Sequence, residues 1–199
     1  MQTSIKSTPH QLLLSVFAAV VLLLFAGNLH ADDILEAIDE GVSAYKKGEL
    51  SEAVSQLDYA SGLIRQKKAE AIKAVFPDAL NGWQAGVTKS ESAGGILGGG
   101  ISANRQYKKD DAKVDIQLLV DSPMLQSMMG MFNNPSMITM SGGKLIKVQG
   151  HKTIHNGNPD RPELTLIIDS NAMFTLKGNS ATSFEQLKAY GEALKLDKL

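Results

Sequence analysis

Lys113-Val114-Asp115-Ile116-Gln117-Leu118-Leu119-Val120 decides the fold class. Val114, Ile116, Leu118 and Val120 alternate with Lys113, Asp115 and Gln117, the period of two by which a strand sends successive side chains to opposite faces. A strand with one apolar and one polar face belongs to an antiparallel sheet with one solvated side. Leu164, Leu166 and Ile168 repeat the alternation, as do Phe174 and Leu176. Residues 83–88, 101–108, 137–140 and 145–154 read as further, weaker strands. Asn156-Gly157 marks a hairpin turn, within a loop that reaches Pro162, and Asp169-Ser170-Asn171-Ala172 marks another.

Helical spacing dominates on either side of this β-rich region. Residues 34–47 place Leu35, Ile38, Val42 and Tyr45 along one face, expected to be buried, and Gly48 ends the helix. A longer helix over 51–75 is expected to bury Val54, Leu57, Ala60, Ile64, Ile72 and Val75. Phe76-Pro77 stops it. Ser122-Pro123 supplies an N-cap and a first-turn proline for a short helix from Met124 to Phe132, ended by Asn133-Asn134-Pro135. Ser183-Phe184-Glu185-Gln186 fits a capping box, opening a last helix with Phe184, Leu187, Tyr190 and Leu194 on one stripe. The fold class is therefore α+β. It has an N-terminal helical hairpin, a mostly antiparallel sheet with a short Met-rich helix, and a C-terminal helix, with helices covering one face of the sheet.

Gly41, Gly48, Ala53 and Ala60 carry small-residue spacing, and 44–53, Ala-Tyr-Lys-Lys-Gly-Glu-Leu-Ser-Glu-Ala, resembles the turn of a tetratricopeptide repeat. The resemblance covers one repeat, lacks its closing proline and has no second copy downstream. Stacked repeats need about three units, so the hairpin is expected to pack on the rest of the domain rather than build a superhelix.

The N-terminus reads as an export signal. Lys6 and His10 precede a largely apolar run over 12–26, about 15 residues, short of the roughly 20 that span a bilayer. Ala31 suits a cleavage position, although Leu29 is larger than the usual residue two places before it. An uncleaved anchor is the alternative. Cleavage leaves 32–199, read as a hairpin over 32–76 and a sheet domain over 77–199, in the periplasm or secreted, with no stable membrane insertion. Removing Lys6 takes the basic residues from 20 to 19 against 21 acidic ones, a net charge of −2. That near-neutral balance gives no electrostatic footprint for nucleic acid. With no Cys, disulfides, thiolate metal sites and thiol nucleophiles are all ruled out.

The chemistry on offer is sparse. Met124, Met128, Met129, Met131, Met137 and Met140 crowd into seventeen positions. They admit three readings: core packing together with Leu125 and Phe132, an adaptable apolar binding surface, or a Cu(I) site. A Cu(I) site would use the thioethers of Met128, Met131, Met137 and Met140. His151 and His155 read as surface histidines beside a turn, too few for a zinc site that needs three or four ligands. Gly94-Gly95-Ile96-Leu97-Gly98-Gly99-Gly100 lacks the Gly-Lys-Ser/Thr ending of a phosphate loop. It reads as a hairpin loop that offers Ile96 and Leu97 at its tip. No Gly-x-Ser-x-Gly elbow, His-Glu-x-x-His helix or Ser/His/Asp grouping is recognisable.

The leader, the hairpin at Tyr45-Lys46-Lys47-Gly48, the stretch from Asp58-Tyr59-Ala60 to Gln66-Lys67-Lys68-Ala69-Glu70, the loop Gly98-Gly99-Gly100-Ile101-Ser102-Ala103, and Asp121-Ser122-Pro123-Met124 together resemble a family of exported proteobacterial proteins. The resemblance implies export and one compact domain, and it brings no activity and no functional residue. The expectation is a non-enzymatic binding or accessory protein, without cofactor, contacting a protein partner or apolar ligand. Contact would run through Met124, Met128, Met129, Met131, Phe132, Met137 and Met140, with Ile96 and Leu97. A Cu(I)-binding protein is the alternative, and a hydrolase with a spatially assembled site a weaker one.

Overall fold

The alternating stretch becomes a central strand. In the computed structural model, residues 29–92, 100–132 and 134–199 are described. The leader as far as residue 28 and the loop tip with Ile96 and Leu97 lie outside the described residues, as does the side chain of Met131. The chain divides into two units between Ile64 and Arg65.

The first unit is a helical hairpin, α1 (Leu29–Lys47) and the first turns of α2 (Leu50–Ala71). Gly48 takes the left-handed backbone, φ +83°, that lets the chain reverse. The helices close on small residues: Ala37, Gly41 and Ala44 of α1 and Ala53 and Ala60 of α2 are buried. A Cβ built on Gly41 would lie 2.9 Å from Leu57 Cγ, so the glycine is what lets the helices approach. This overturns the expected burial of the larger residues, since Leu35, Val42, Tyr45, Val54, Leu57 and Ile64 are exposed. The apolar faces are broader than the seam, and the seam selects the smallest side chains within them.

In the second unit, the last turns of α2 run into a 3₁₀ turn (Ile72–Val75). Among the described residues eight strands then form one antiparallel sheet: β1 (Gln84–Ala85), β2 (Lys89–Ser92), β3 (Ile101–Lys109), β4 (Ala112–Val120), β5 (Gly143–Val148), β6 (His151–Asn156), β7 (Glu163–Ile168) and β8 (Ala172–Gly178). The order is β1-β3-β4-β8-β7-β6-β5, with β2 also on β3. Two departures from the sequence reading concern turns. Residues 145–154 are not one strand, because Gln149 and Gly150 both adopt positive φ and fold β5 onto β6, the geometry of a tight hairpin turn. Residues 137–140 belong to a helix rather than a strand. The Asn134 side chain accepts from Ser136 N–H and Pro135 occupies the first turn, so the signal that ends one helix also starts the next.

Cross-strand register places Ala103, Leu118, Phe174, Leu166 and Thr153 in one row on one face. That face is the main core, with Val114, Ile116, Leu164 and Leu176 fully buried beside them. It is covered by Ile72, Val75 and Phe76 and by α5 (Phe184–Glu192), which has its capping box as expected and buries Leu187 and Tyr190. Gly191 serves close approach here, because a Cβ would sit 3.0 Å from Val148 Cγ1. Tyr190 lies against Tyr107 at 4.4 Å and edge-on to Trp83 at 5.2 Å between ring centroids. The Tyr107 hydroxyl donates to the Pro77 carbonyl, and Arg105 donates to Pro77 and Gly86 carbonyls. Burial raises the pKa of both tyrosines, Tyr190 to about 12.

The opposite face is not left bare. α3 (Pro123–Phe132) and α4 (Pro135–Met140) lie over it, so helices cover both faces rather than one. Ile138 of α4 meets the position where a Gly143 Cβ would be, together with Ile154, on this outer face. Leu125, Phe132, Ile138 and the β7 residue Ile167 are buried outside the main core.

Candidate functional site

Topology explains why the Met-rich segment sits where it does. The chain leaves β4 at Val120, which shares a row with Ala172 and Ile168. It must enter β5 at Gly143, which shares a row with Asn156 and Glu163 at the opposite end of the sheet. Strands β8, β7 and β6 stand between. Four strand spacings sideways and about five residues along the strands make a diagonal of roughly 25 Å. The 10 residues of α3 and 6 of α4 span about 24 Å at 1.5 Å per residue. The two helices are the crossover itself, laid obliquely across the outer face.

Beside this crossover the outer face is hollowed in two places. One hollow of about 480 Å³ has Ser102, Asn104, Gln117 and Thr175 on its floor, Met173 and Leu119 near the crossover, and Met124 of α3 at its edge. The other, of about 520 Å³, runs between Ile154, Glu163 and Thr165 of the sheet and Phe132, Met137, Ile138 and Met140 of the helices. Thr165 lines the second hollow and Thr175 the first, and the two are direct cross-strand partners, so the hollows lie side by side and together are called the trough. Its walls are mainly apolar, with hydroxyl and amide groups along the floor. Charged groups line it as well: Lys89, Glu91 and Lys177 in the first hollow and Glu163 in the second, with Lys177 and Glu163 cross-strand partners where the hollows meet. The size is that of a small-molecule site.

The methionines divide between packing and display. Met124, Met137 and Met140 are 58, 47 and 88 % exposed, Met128 and Met129 are half-buried, and Phe132 is buried. The expected stripe Met124–Met128–Phe132 is thus rotated, with Leu125 and Phe132 facing inward and Met124 facing out. Of the four thioethers considered for Cu(I), Met137 and Met140 border the trough and Met128 belongs to α3. Lys152 donates to the Phe132 carbonyl and ties the end of α3 to β6. Gln126 donates to the Ser170 carbonyl near its start.

The histidines lie elsewhere. His151 and His155 share the core-side face of β6, with buried Thr153 between them, and both are half-buried rather than surface groups. His155 packs on the Phe184 ring at 4.3 Å, and burial, then the charge of Lys144, lowers its pKa. Among the described residues no three His, Asp or Glu side chains gather as a metal-binding set. No described helix is long and apolar enough to cross a membrane.

Sequence reasoning found the helical wall of the trough and missed its floor. Ser102, Asn104, Gln117, Thr165 and Thr175 carry no local signal, because they converge only through the pairing of β4 with β8 and of β8 with β7. The outward parity of these positions was readable, but the neighbouring strands were not. Comparison with protein-family models, curated proteins and solved structures finds no match to this chain.

Proposed function

We propose that this chain is an exported, non-enzymatic binding protein that takes an elongated apolar ligand, of the acyl-chain class, in the trough beside α3 and α4. The observation that carries the reading is the display of Met137 and Met140 along a 520 Å³ hollow whose other apolar walls are Phe132, Ile138 and Ile154. Flexible, polarizable thioethers at a rim suit a ligand of variable shape. The adjoining hollow extends the trough to a length that an extended chain fills better than a compact molecule does. The hydroxyls and amides of the floor are groups that orient a ligand.

The test is titration of the purified protein with a fluorescent long-chain acyl probe. Saturable micromolar binding is expected, weakened at least tenfold by Met137→Asp with Met140→Asp, because a charge at the rim must be desolvated. Absence of saturable binding, or binding indifferent to both substitutions, refutes the reading. The Cu(I) alternative has one observation in its favour: Met137 and Met140, three apart on α4, are both exposed. Anaerobic Cu(I) titration with and without Met128, Met131, Met137 and Met140 decides it, and tight binding lost on substitution would replace the acyl reading.

A further inference from the structure

The hairpin carries a second surface that the trough does not use. Leu35, Val42, Tyr45, Leu50, Val54, Leu57 and Ile64 are 41 to 68 % exposed. At 100° per residue, Leu35, Ile38, Val42 and Tyr45 of α1 all fall on one flank of the Ala37–Gly41–Ala44 seam. Leu50, Val54, Leu57 and Ile64 of α2 fall on one flank of Ala53 and Ala60. Gly41 meets both Leu57 and Ala53, as an antiparallel hairpin with a short connection requires. Reversing the direction of one helix brings the two flanks to the same side. The hairpin therefore displays one continuous apolar face, two helices wide.

Exposed fractions of this size amount to roughly 700 Å², above the 300–600 Å² of the largest apolar patch on a typical monomer and close to the about 800 Å² per partner of a stable interface. Between residues 35 and 64 no charged side chain falls within the face; Lys46 flanks it on α1, and Lys68, on the azimuth of Leu50, lies past its end on α2. Two copies can thus meet there without like-charge repulsion, which a charged patch meeting itself could not do. A hairpin of this kind buries its face by stacking on an equivalent hairpin, and the sequence contains one. The equivalent hairpin is then the one on a second copy of the chain.

We propose that the α1–α2 face is a homodimer interface, in which two hairpins pack face to face about a twofold axis as a four-helix arrangement. The interface is isologous: each copy presents Val42 and Val54 near the centre of the face and Leu35, Leu50 and Tyr45 around them. The charged residues Asp39 and Lys46, outside the face on α1, form part of its rim.

Sedimentation equilibrium of the chain, purified after expression with its own leader, tests this directly. A monomer–dimer equilibrium in the micromolar range is expected, weakened about 100-fold by Val42→Glu with Val54→Glu, since each copy would bury two unpaired carboxylates. Both positions are exposed, so far-UV circular dichroism should stay unchanged. Because the chain has no Cys, a single Val42→Cys should cross-link with a short bis-maleimide, whereas Ser55→Cys on another side of α2 should not. A monomer at all concentrations, a dimer that survives the double glutamate variant, or equal cross-linking at Val42→Cys and Ser55→Cys overturns the proposal.

Discussion

Replacing Ile138 by Ala should release α4 from the sheet without unfolding the core. α4 has 6 residues, far below the length at which a helix persists alone, and Ile138 is its one buried side chain. The side chain fills the space between Gly143 and Ile154, with its Cγ2 3.1 Å from the position of a Gly143 Cβ. An Ile→Ala change in a closed core costs about 2–5 kcal/mol. This site opens onto the 520 Å³ hollow, where water replaces the lost methyls, so the low end applies, about 2 kcal/mol. That is a factor of roughly 30 in a local opening equilibrium. The amides of Ile138, Ser141 and Gly142, which donate within α4 and its cap, should exchange about 30-fold faster. Those pairing β7 with β8 should keep their protection. Unchanged exchange in α4, or equal acceleration in β7 and β8, refutes the reasoning that Ile138 anchors α4 independently of the main core.

Further outcomes follow from the titratable and polar groups. His155 has a folded-state pKa below its unfolded value of about 6.5, chiefly through burial and next through Lys144. The unfolded chain therefore binds more protons in the window just below that value, and stability should fall as pH drops through it. His155→Gln should flatten that part of the Tm–pH curve, and an unaltered slope counts against it. Tyr107 and Tyr190 have raised pKa values, mainly through burial, so the stability they contribute is present below pH 10 and lost as pH rises above it. Ultraviolet titration should show these two phenols ionising together with unfolding, and free titration near pH 10 would contradict their burial. Thr182 is buried, and its hydroxyl donates to the Lys113 carbonyl at 2.7 Å. Thr182→Val should cost about 1–3 kcal/mol in urea unfolding, and a neutral result would show that the contact is dispensable.

The parts of this fold legible in the sequence are those set by local period and local turn chemistry. The alternation at Val114–Val120 and the capping box at Ser183 each specify an element within a few residues. Two errors arose where one signal serves two elements or none was recognised. Asn134-Pro135 both ends α3 and begins α4, so Met137–Met140 lost its helical context. Gln149, a residue not typical of the left-handed region, made the β5–β6 turn invisible. The hairpin failed differently: periodicity identified its apolar faces, but close packing of two helices favours Gly41, Ala44 and Ala53 over the larger residues beside them. The helical wall of the trough was legible as a methionine cluster. Its floor was not, because the adjacency of β4 and β8 spans more than fifty intervening residues of chain and leaves no local trace.

The binding claim is tested most directly by titrating a long-chain fatty acid into protein carrying ¹³C-methyl methionine and following each methyl resonance. The Met137 and Met140 methyls should shift saturably, with Met124 and Met173 following as the ligand extends along the trough. Methionine resonances unmoved at saturating fatty acid, or moved only by Cu(I), would contradict it.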